Sequence, residues 1–195
     1  GLLRPAYQQT GWNSASGSVT GMPGAIHDEH PFADPPDRRD PIRRFRGRLS
    51  SPVTVVTAGR DGGWTGLTVS SLLVAAEDEA RIDFVLGPDS YLWDAIRDTG
   101  RFVVHILETS QRALSDRFAG IAPSPGGSFV DLDVENSAHG PLLSVCPSRA
   151  YCTLESVREG VGHLLVEGAI DSVDLHDLDA PLQWFRGSYR SLADR

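Results

Sequence analysis

Apolar positions recur along this chain with two different periods. Arg81-Ile82-Asp83-Phe84-Val85-Leu86 alternates polar and apolar residues, the period-two sign of a half-buried strand, and Gly87-Pro88-Asp89 ends it. The period then changes. Leu92, Ala95 and Ile96 share one face at i, i+3, i+4 spacing, which predicts a helix capped by Ser90, running to about Asp98 and closed by Gly100. Phe102 to Leu107 returns to a strand. Thr109 or Ser110 opens a second helix, with Ala113, Leu114 and Phe118 along one side.

The same reading covers both flanks. Pro52 to Ala58 is a Val/Thr strand, Asp61-Gly62-Gly63 a turn, and Thr65 to Val74 a second strand, so this region predicts a hairpin. Gly120 to Ser128 is loop. Arg149 to Val157 and His163 to Val173 are long strands joined by a short Gly-containing turn, and Pro181 to Tyr189 is a final extended segment. Asp40 to Arg48 predicts a short helix, with Asp40 as N-cap and Pro41 at the first helical position. Six or seven strands linked by tight turns, with two or three helices, predict a mainly β chain of the α+β class. Its antiparallel sheet is expected to close on itself. No Gly-x-Gly-x-x-Gly follows a strand, which argues against a dinucleotide fold of alternating strands and helices.

Before Asp40 the periodicity disappears. Residues 1–40 are rich in Gly, Ser, Pro and charge and read as a flexible leader or an arm that embraces a second subunit. The sole methionine is Met22, so residues 1–21 read as cloning-derived or upstream sequence. Residues 41–195 then form one domain.

Composition narrows the chemistry. The formal net charge is −8, which disfavours wrapping nucleic acid, and the arginine cluster Arg38, Arg39, Arg43, Arg44, Arg46 and Arg48 reads as a solvated connector. No apolar run approaches the roughly 20 residues that span a bilayer, and no signal-peptide pattern is visible. The expected location is cytoplasmic and no membrane partner is expected. The sequence contains no lysine. Schiff-base, P-loop and kinase-type lysines are therefore excluded, and any phosphate must be held by arginine, hydroxyls or backbone N–H groups. Cys146 and Cys152 lack the spacing of a metal or redox pair and read as core residues; no metal site is expected.

One stretch combines unusual features. In Thr65-Gly66-Leu67-Thr68-Val69-Ser70-Ser71, clustered hydroxyls follow a strand through small residues. Such a segment suits a ligand that is part anion and part flat apolar ring. Ser90, at a helix start, can cap the helix, touch a phosphate, or both.

These residues resemble the flavin reductase-like domains with an FMN-binding split-barrel fold. Residues 65–71 are similar to the family's Gly-x-Thr-x-Ser-Ser segment, and Ser51 to Thr57 to its first barrel strand. Asp89-Ser90-Tyr91-Leu92-Trp93 resembles the start of its first helix. Phe102-Val103-Val104-His105-Ile106-Leu107 with Gln111, Leu114 and Arg117-Phe118-Ala119 resembles its "Phe-Val-Val-Asn-Val-Leu … Gln … Leu … Arg-Phe-Ala" block. Gly140-Pro141-Leu142-Leu143, Cys152, Gly162-His163 and Gly168 resemble its late series. The resemblance spans residues 44–190 and five motifs in order.

It implies an antiparallel, Greek-key split β-barrel and an NAD(P)H-dependent flavin reductase binding FMN, or FAD, with NADH or NADPH as donor. It also implies a homodimer, with a two-component monooxygenase as the possible partner enzyme. The implied cofactor contacts are Thr65, Gly66, Leu67, Thr68, Ser70, Ser71, Ser90, Arg117 and Phe118, with His163 and His105 as catalytic candidates. Trp64, Trp93 and Trp184 read as packing residues, and Tyr189 as closing the pocket of a neighbouring subunit. Three departures stand out. Glu77-Asp78-Glu79-Ala80 replaces the Pro-Pro that often follows the Ser-Ser segment, His105 replaces an Asn, and the Asp of the late Gly-Asp-His motif is missing, since the chain reads Val161-Gly162-His163. They keep two alternatives open: a flavin-binding protein without turnover, and an oxidoreductase of the same fold using a deazaflavin or a specific organic substrate.

Overall fold

A computed structural model describes residues 40–76 and 79–192. The expected leader, with the readings of residues 1–21 and of an embracing arm, lies outside the described residues except for Asp40.

The short first helix forms as expected, as α1 (Pro41–Arg46). Asp40 Oδ1 accepts the Ile42 N–H at 2.8 Å, satisfying one orphan amide of the first turn. Next come β1 (Ser51–Pro52), β2 (Thr54–Ala58), β3 (Thr65–Val69), β4 (Leu73–Ala75) and β5 (Arg81–Leu86). Helix α2 (Tyr91–Thr99) leads into β6 (Arg101–Ile106), and a 3-10 turn at Thr109–Gln111 runs into α3 (Arg112–Phe118). The chain ends with β7 (Val134–Ser137), β8 (Gly140–Leu143), β9 (Arg149–Gly160), β10 (His163–Asp174), β11 (Leu182–Phe185) and β12 (Ser188–Ser191).

Three expected strands are each two. Pro52–Ala58 divides at Val53, whose N–H donates to Leu182 and whose carbonyl accepts from Leu107, so β1 pairs with β11 and β2 enters the main sheet. Pro181–Tyr189 is a hairpin turning at Arg186 and Gly187, with φ of 53° and 78°. The β7–β8 hairpin has no counterpart in the predicted elements.

Thr65–Val74 divides most consequentially. The seven-stranded antiparallel sheet runs β3-β2-β6-β9-β10-β5-β4, so one short run of chain supplies both of its edges. The sheet curls but does not close: β3 and β4 are not hydrogen-bonded neighbours. The expected closure fails because Ser70–Leu72 leave the ladder. The Val85 N–H instead donates to Ser71 Oγ at 3.1 Å, and that hydroxyl lies 3.3 Å from the Val85 carbonyl oxygen. Register shifts in the β9–β10 pair, at Glu167/Gly168 and Ile170/Ser172, bend the long strands around the barrel. Gly168 lies where a Cβ would meet the Phe102 ring at 2.5 Å, which only glycine tolerates.

Two apolar cores sandwich the wall. The inner one joins Val56, Phe84, Phe102, Val104 and Val166 with Leu92 and Ile96 of α2. Phe84 and Phe102 meet edge to face at 5.3 Å between centroids. The outer one joins Val53, Val55, Leu107 and Leu143 with Leu114 and Phe118 of α3. Cys146 and Cys152 are unpaired and buried, and burial pushes both thiols up to about 12, so they are core residues as expected. No helix among the described residues is long and apolar enough to cross a membrane.

Candidate functional site

Strand β3 presents its two faces to different neighbours. Leu67 and Val69 pack against the inner core. Gly66 and Thr68 face α3: a Cβ on Gly66 would come within 2.7 Å of the Phe118 ring, and Thr68 Oγ1 donates to the Ser115 carbonyl at 2.6 Å. Thr65 opens the strand opposite Ala58.

The surroundings give several expected flavin contacts other work. Phe118 is 2% exposed and stacks edge to face on Phe129 at 5.1 Å. It is a core residue with no face left for a ligand. Arg117 Nη1 donates to the Val130 carbonyl at 2.8 Å, tying the glycine-rich loop to α3. The Thr68 hydroxyl proton is committed to α3. Tyr189 likewise turns inward on its own chain, its hydroxyl donating to Asp116 Oδ1 at 2.6 Å and lying 2.9 Å from Ser115 Oγ. Closing a neighbour's pocket is not its geometry.

His105 is the clearest correction. Alternation along β6 puts its side chain opposite Val104 and Ile106, but both faces of this central strand are buried and His105 is 0% exposed. The Leu143 N–H donates to Nε2 at 3.2 Å, which makes Nδ1 the protonated nitrogen, donating to the Val55 carbonyl at 3.2 Å. Burial above all holds its pKa down at about 4, helped by the nearby Arg149 cation and opposed by the Val55 bond. A neutral, sealed imidazole with both nitrogens engaged cannot reach a substrate proton. It braces β2, β6 and β8 against one another.

The remaining residues converge. Ser71 is bonded to Val85, near the end of β5. On the other side of β5, Leu86 lies opposite Leu164, which follows His163. Gly87 and the start of α2 come directly after. Ser71 and His163 therefore lie on the two sides of one end of β5, about two strand spacings or ~10 Å apart, with Ser90 following that end in the chain and Ser70 next to Ser71.

The donors there are open. Ser90 occupies the N-cap of α2, yet its side chain makes no capping bond, so its hydroxyl and the first-turn amides are left for other partners. The Ser70 hydroxyl has no hydrogen-bond partner among the described residues. Gly87 and Gly162 both border open space. The His163 ring lies over Gly160, where a Cβ would stand 2.4 Å from Nε2, and its Nδ1 is 3.2 Å from the Val161 carbonyl oxygen. The imidazole is exposed but oriented.

Tyr91 is the exposed aromatic residue of the Asp89–Trp93 motif. It sits beside Ser90, 84% exposed, with its ring outside the apolar stripe of Leu92 and Ile96. That stripe leaves position 91 on the open side of the helix.

Comparison with known proteins agrees with this architecture. A family model described as flavin reductase like domain matches residues 46–193. The chain is 33% identical over 175 residues to an NADH-dependent FMN reductase, AsuE2, of Streptomyces nodosus subsp. asukaensis, covering 87% of this chain and 92% of that protein. It is 30% identical over 154 residues to HsaB of Rhodococcus jostii (strain RHA1), the reductase subunit of a flavin-dependent monooxygenase, covering 77% of each. Among solved structures, nitrilotriacetate monooxygenase component B from Mycobacterium thermoresistibile superposes with a TM-score of 0.71 at 27% identity, over 78% of this chain and 85% of that one. With the split seven-stranded barrel and the motif order behind it, the chain belongs to the flavin reductase-like domain family.

Proposed function

We infer that this protein is an NAD(P)H-dependent flavin reductase, using FMN and accepting FAD, whose reduced flavin serves a partner monooxygenase. The observation that supports the reading is the gathering of Ser71, Ser90 and His163 around one end of β5, in a chain of this family. When bound, a flavin supplies the acceptor for hydride from the nicotinamide.

The residues fit such a group. A flat ring has open space beside Gly87 and Gly162. The Ser70 hydroxyl and the backbone N–H groups of the β3–β4 link would hold its polar edge. The Ser90 hydroxyl and the first amides of α2 would hold a phosphate, as a chain without lysine requires. His163 orients the nicotinamide or moves a proton at its Nε2. Thr65, Gly66 and Leu67 contribute backbone, while Thr68, Arg117 and Phe118 support the cradle from behind. His105 supports it from the core.

The active form is a homodimer. Exposed Leu73 (64%), Val173 (50%) and Leu175 (74%) flank the barrel's edge, an apolar surface that a second copy would cover.

The test mixes purified protein with FMN or FAD and with NADH or NADPH, following nicotinamide absorbance. Oxidation above the protein-free rate is expected with at least one donor. No such rate with any of the four combinations overturns the proposal. One observation favours the alternative of flavin binding without turnover: Val161, fully exposed in the turn before His163, offers no carboxylate there. Flavin binding with no nicotinamide oxidation would select it.

A further inference from the structure

Helix α1 is built inside out. Ile42, Phe45 and Leu49 are 74%, 65% and 56% exposed, and no residue of the helix is buried. The winding continues past Arg46, because the Arg48 and Leu49 N–H groups donate to the Phe45 and Arg46 carbonyls at 2.9 and 3.1 Å. At helical spacing the three apolar side chains form one stripe. Gly47 falls on the opposite side of the helix, and that side lies against the protein. The Arg186 N–H donates to the Gly47 carbonyl at 2.8 Å, and a Cβ on Gly47 would stand 3.8 Å from the Arg186 Cα. An amphipathic helix normally turns its stripe to the core. This one turns it away, with Arg46 on one flank and Arg48 on the other. Neither guanidinium has an ion-pair partner among the described residues.

Another surface of the same chain complements this helix. Strand β5 turns Ile82, Phe84 and Leu86 inward, so Asp83 and Val85 face out. Glu167 lies opposite Asp83 and Leu165 opposite Val85, with exposed Leu73 of β4 on the other side of Asp83. Two carboxylates directly opposite on neighbouring strands repel, and neither Asp83 nor Glu167 has an ion-pair partner among the described residues. Arg81 on this face is already shared by Glu79 and Glu155, and Arg158 stands at the rim. The face is apolar with surplus carboxylate, where the helix is apolar with surplus guanidinium.

Both surfaces border one side of the molecule. Pro52 and Gln183, of the β1–β11 pair that follows α1, line the same apolar cavity as Leu72 and Val74 at the β4 edge. A two-fold axis there can exchange helix and face between copies. Packing α1 on its own copy would instead set Arg46 and Arg48 against like charges. We propose that α1 of each copy seats on the outer β4–β5–β10 face of the other. Ile42, Phe45 and Leu49 lie against Leu73, Val85 and Leu165, and Arg46 and Arg48 reach Asp83 and Glu167. The contact rests on the homodimer inferred above and names what holds it.

Two charge-reversed chains test this by sedimentation velocity. One carries Arg46→Glu and Arg48→Glu, the other Asp83→Arg and Glu167→Arg. Each alone places like charges in both contacts and is expected to dissociate at least about tenfold more readily than the unaltered dimer. Mixed in equal amounts, the two are expected to dimerise again, because the mixed pair has opposite charges in both contacts. Phe45→Ser, which trims one exposed ring, should also weaken the dimer at least about tenfold. If a reversed chain does not melt cooperatively, Phe45→Ser decides. An unchanged dimer in Phe45→Ser or in either reversed chain, or a mixture no more dimeric than its parts, overturns the contact and leaves the homodimer standing. An unaltered chain that sediments as a monomer at every concentration overturns the homodimer itself, and the contact with it.

Discussion

Gly66 and Phe118 are so close that one methyl group on the glycine would stand 2.7 Å from a ring carbon. The ring cannot retreat, because it is 2% exposed and held edge to face by Phe129. Gly66→Ala should therefore destabilise the fold by about 1–3 kcal/mol, the usual cost of overpacking. The urea midpoint reads this, and an unchanged midpoint would mean that α3 shifts freely on β3.

Acid should weaken the fold through His105. Its pKa is about 4 in the folded protein against 6.5 for an ordinary histidine, so the unfolded chain binds the proton more tightly. The stability this confers is complete above pH 6.5 and falls as the pH drops toward 4, by about 3 kcal/mol in total. Unfolding free energies across that window should show the slope. His105→Asn, which keeps a polar group without a titrating proton, should flatten it.

Ser90→Ala separates anchoring from capping. The side chain makes no capping bond, so the melting temperature should change little. Loss of one hydrogen bond to a phosphate should weaken FMN by about 3- to 10-fold, equivalent to roughly 0.5–1.5 kcal/mol. A large drop in stability with unchanged FMN affinity would assign Ser90 to the helix alone.

His163→Gln should lower kcat/KM for the nicotinamide donor about tenfold, with FMN affinity and stability nearly unchanged, because the ring is exposed and touches only its own turn. Steady-state kinetics with both substrates varied reads the difference. A proportional loss of FMN affinity would place His163 at the flavin instead.

The elements that were legible in the sequence are those whose burial has one period. Helix α2 shows its stripe, its N-cap and Gly100 in the left-handed conformation at φ 68°. Strand β5 alternates as its burial does, with Ile82, Phe84 and Leu86 inside. Strand β6 misled because cores lie on both sides of it, so pointing away from Val104 meant pointing into a second core. The division of residues 65–75 was hidden for another reason. Ser71 pairs with Val85 through its side chain, and composition does not distinguish a serine that stays in a ladder from one that replaces it. Thr68 and Arg117 fit the family's motif by position, but their bonds to Ser115 and Val130 depend on where α3 comes to rest.

Val69 and Leu73 are four residues apart in the chain, yet five strands separate them across the sheet. Nothing local can hold the link between them in place. Its shape follows from distant pairings such as Thr54 with Ile106 and Phe84 with Val166. Contacts of such long sequence separation form slowly, after loop-closure entropy has been overcome. The Ser70–Ser71 cradle is thus among the last features to assemble during folding, and a peptide cut from this stretch would carry its residues without its shape.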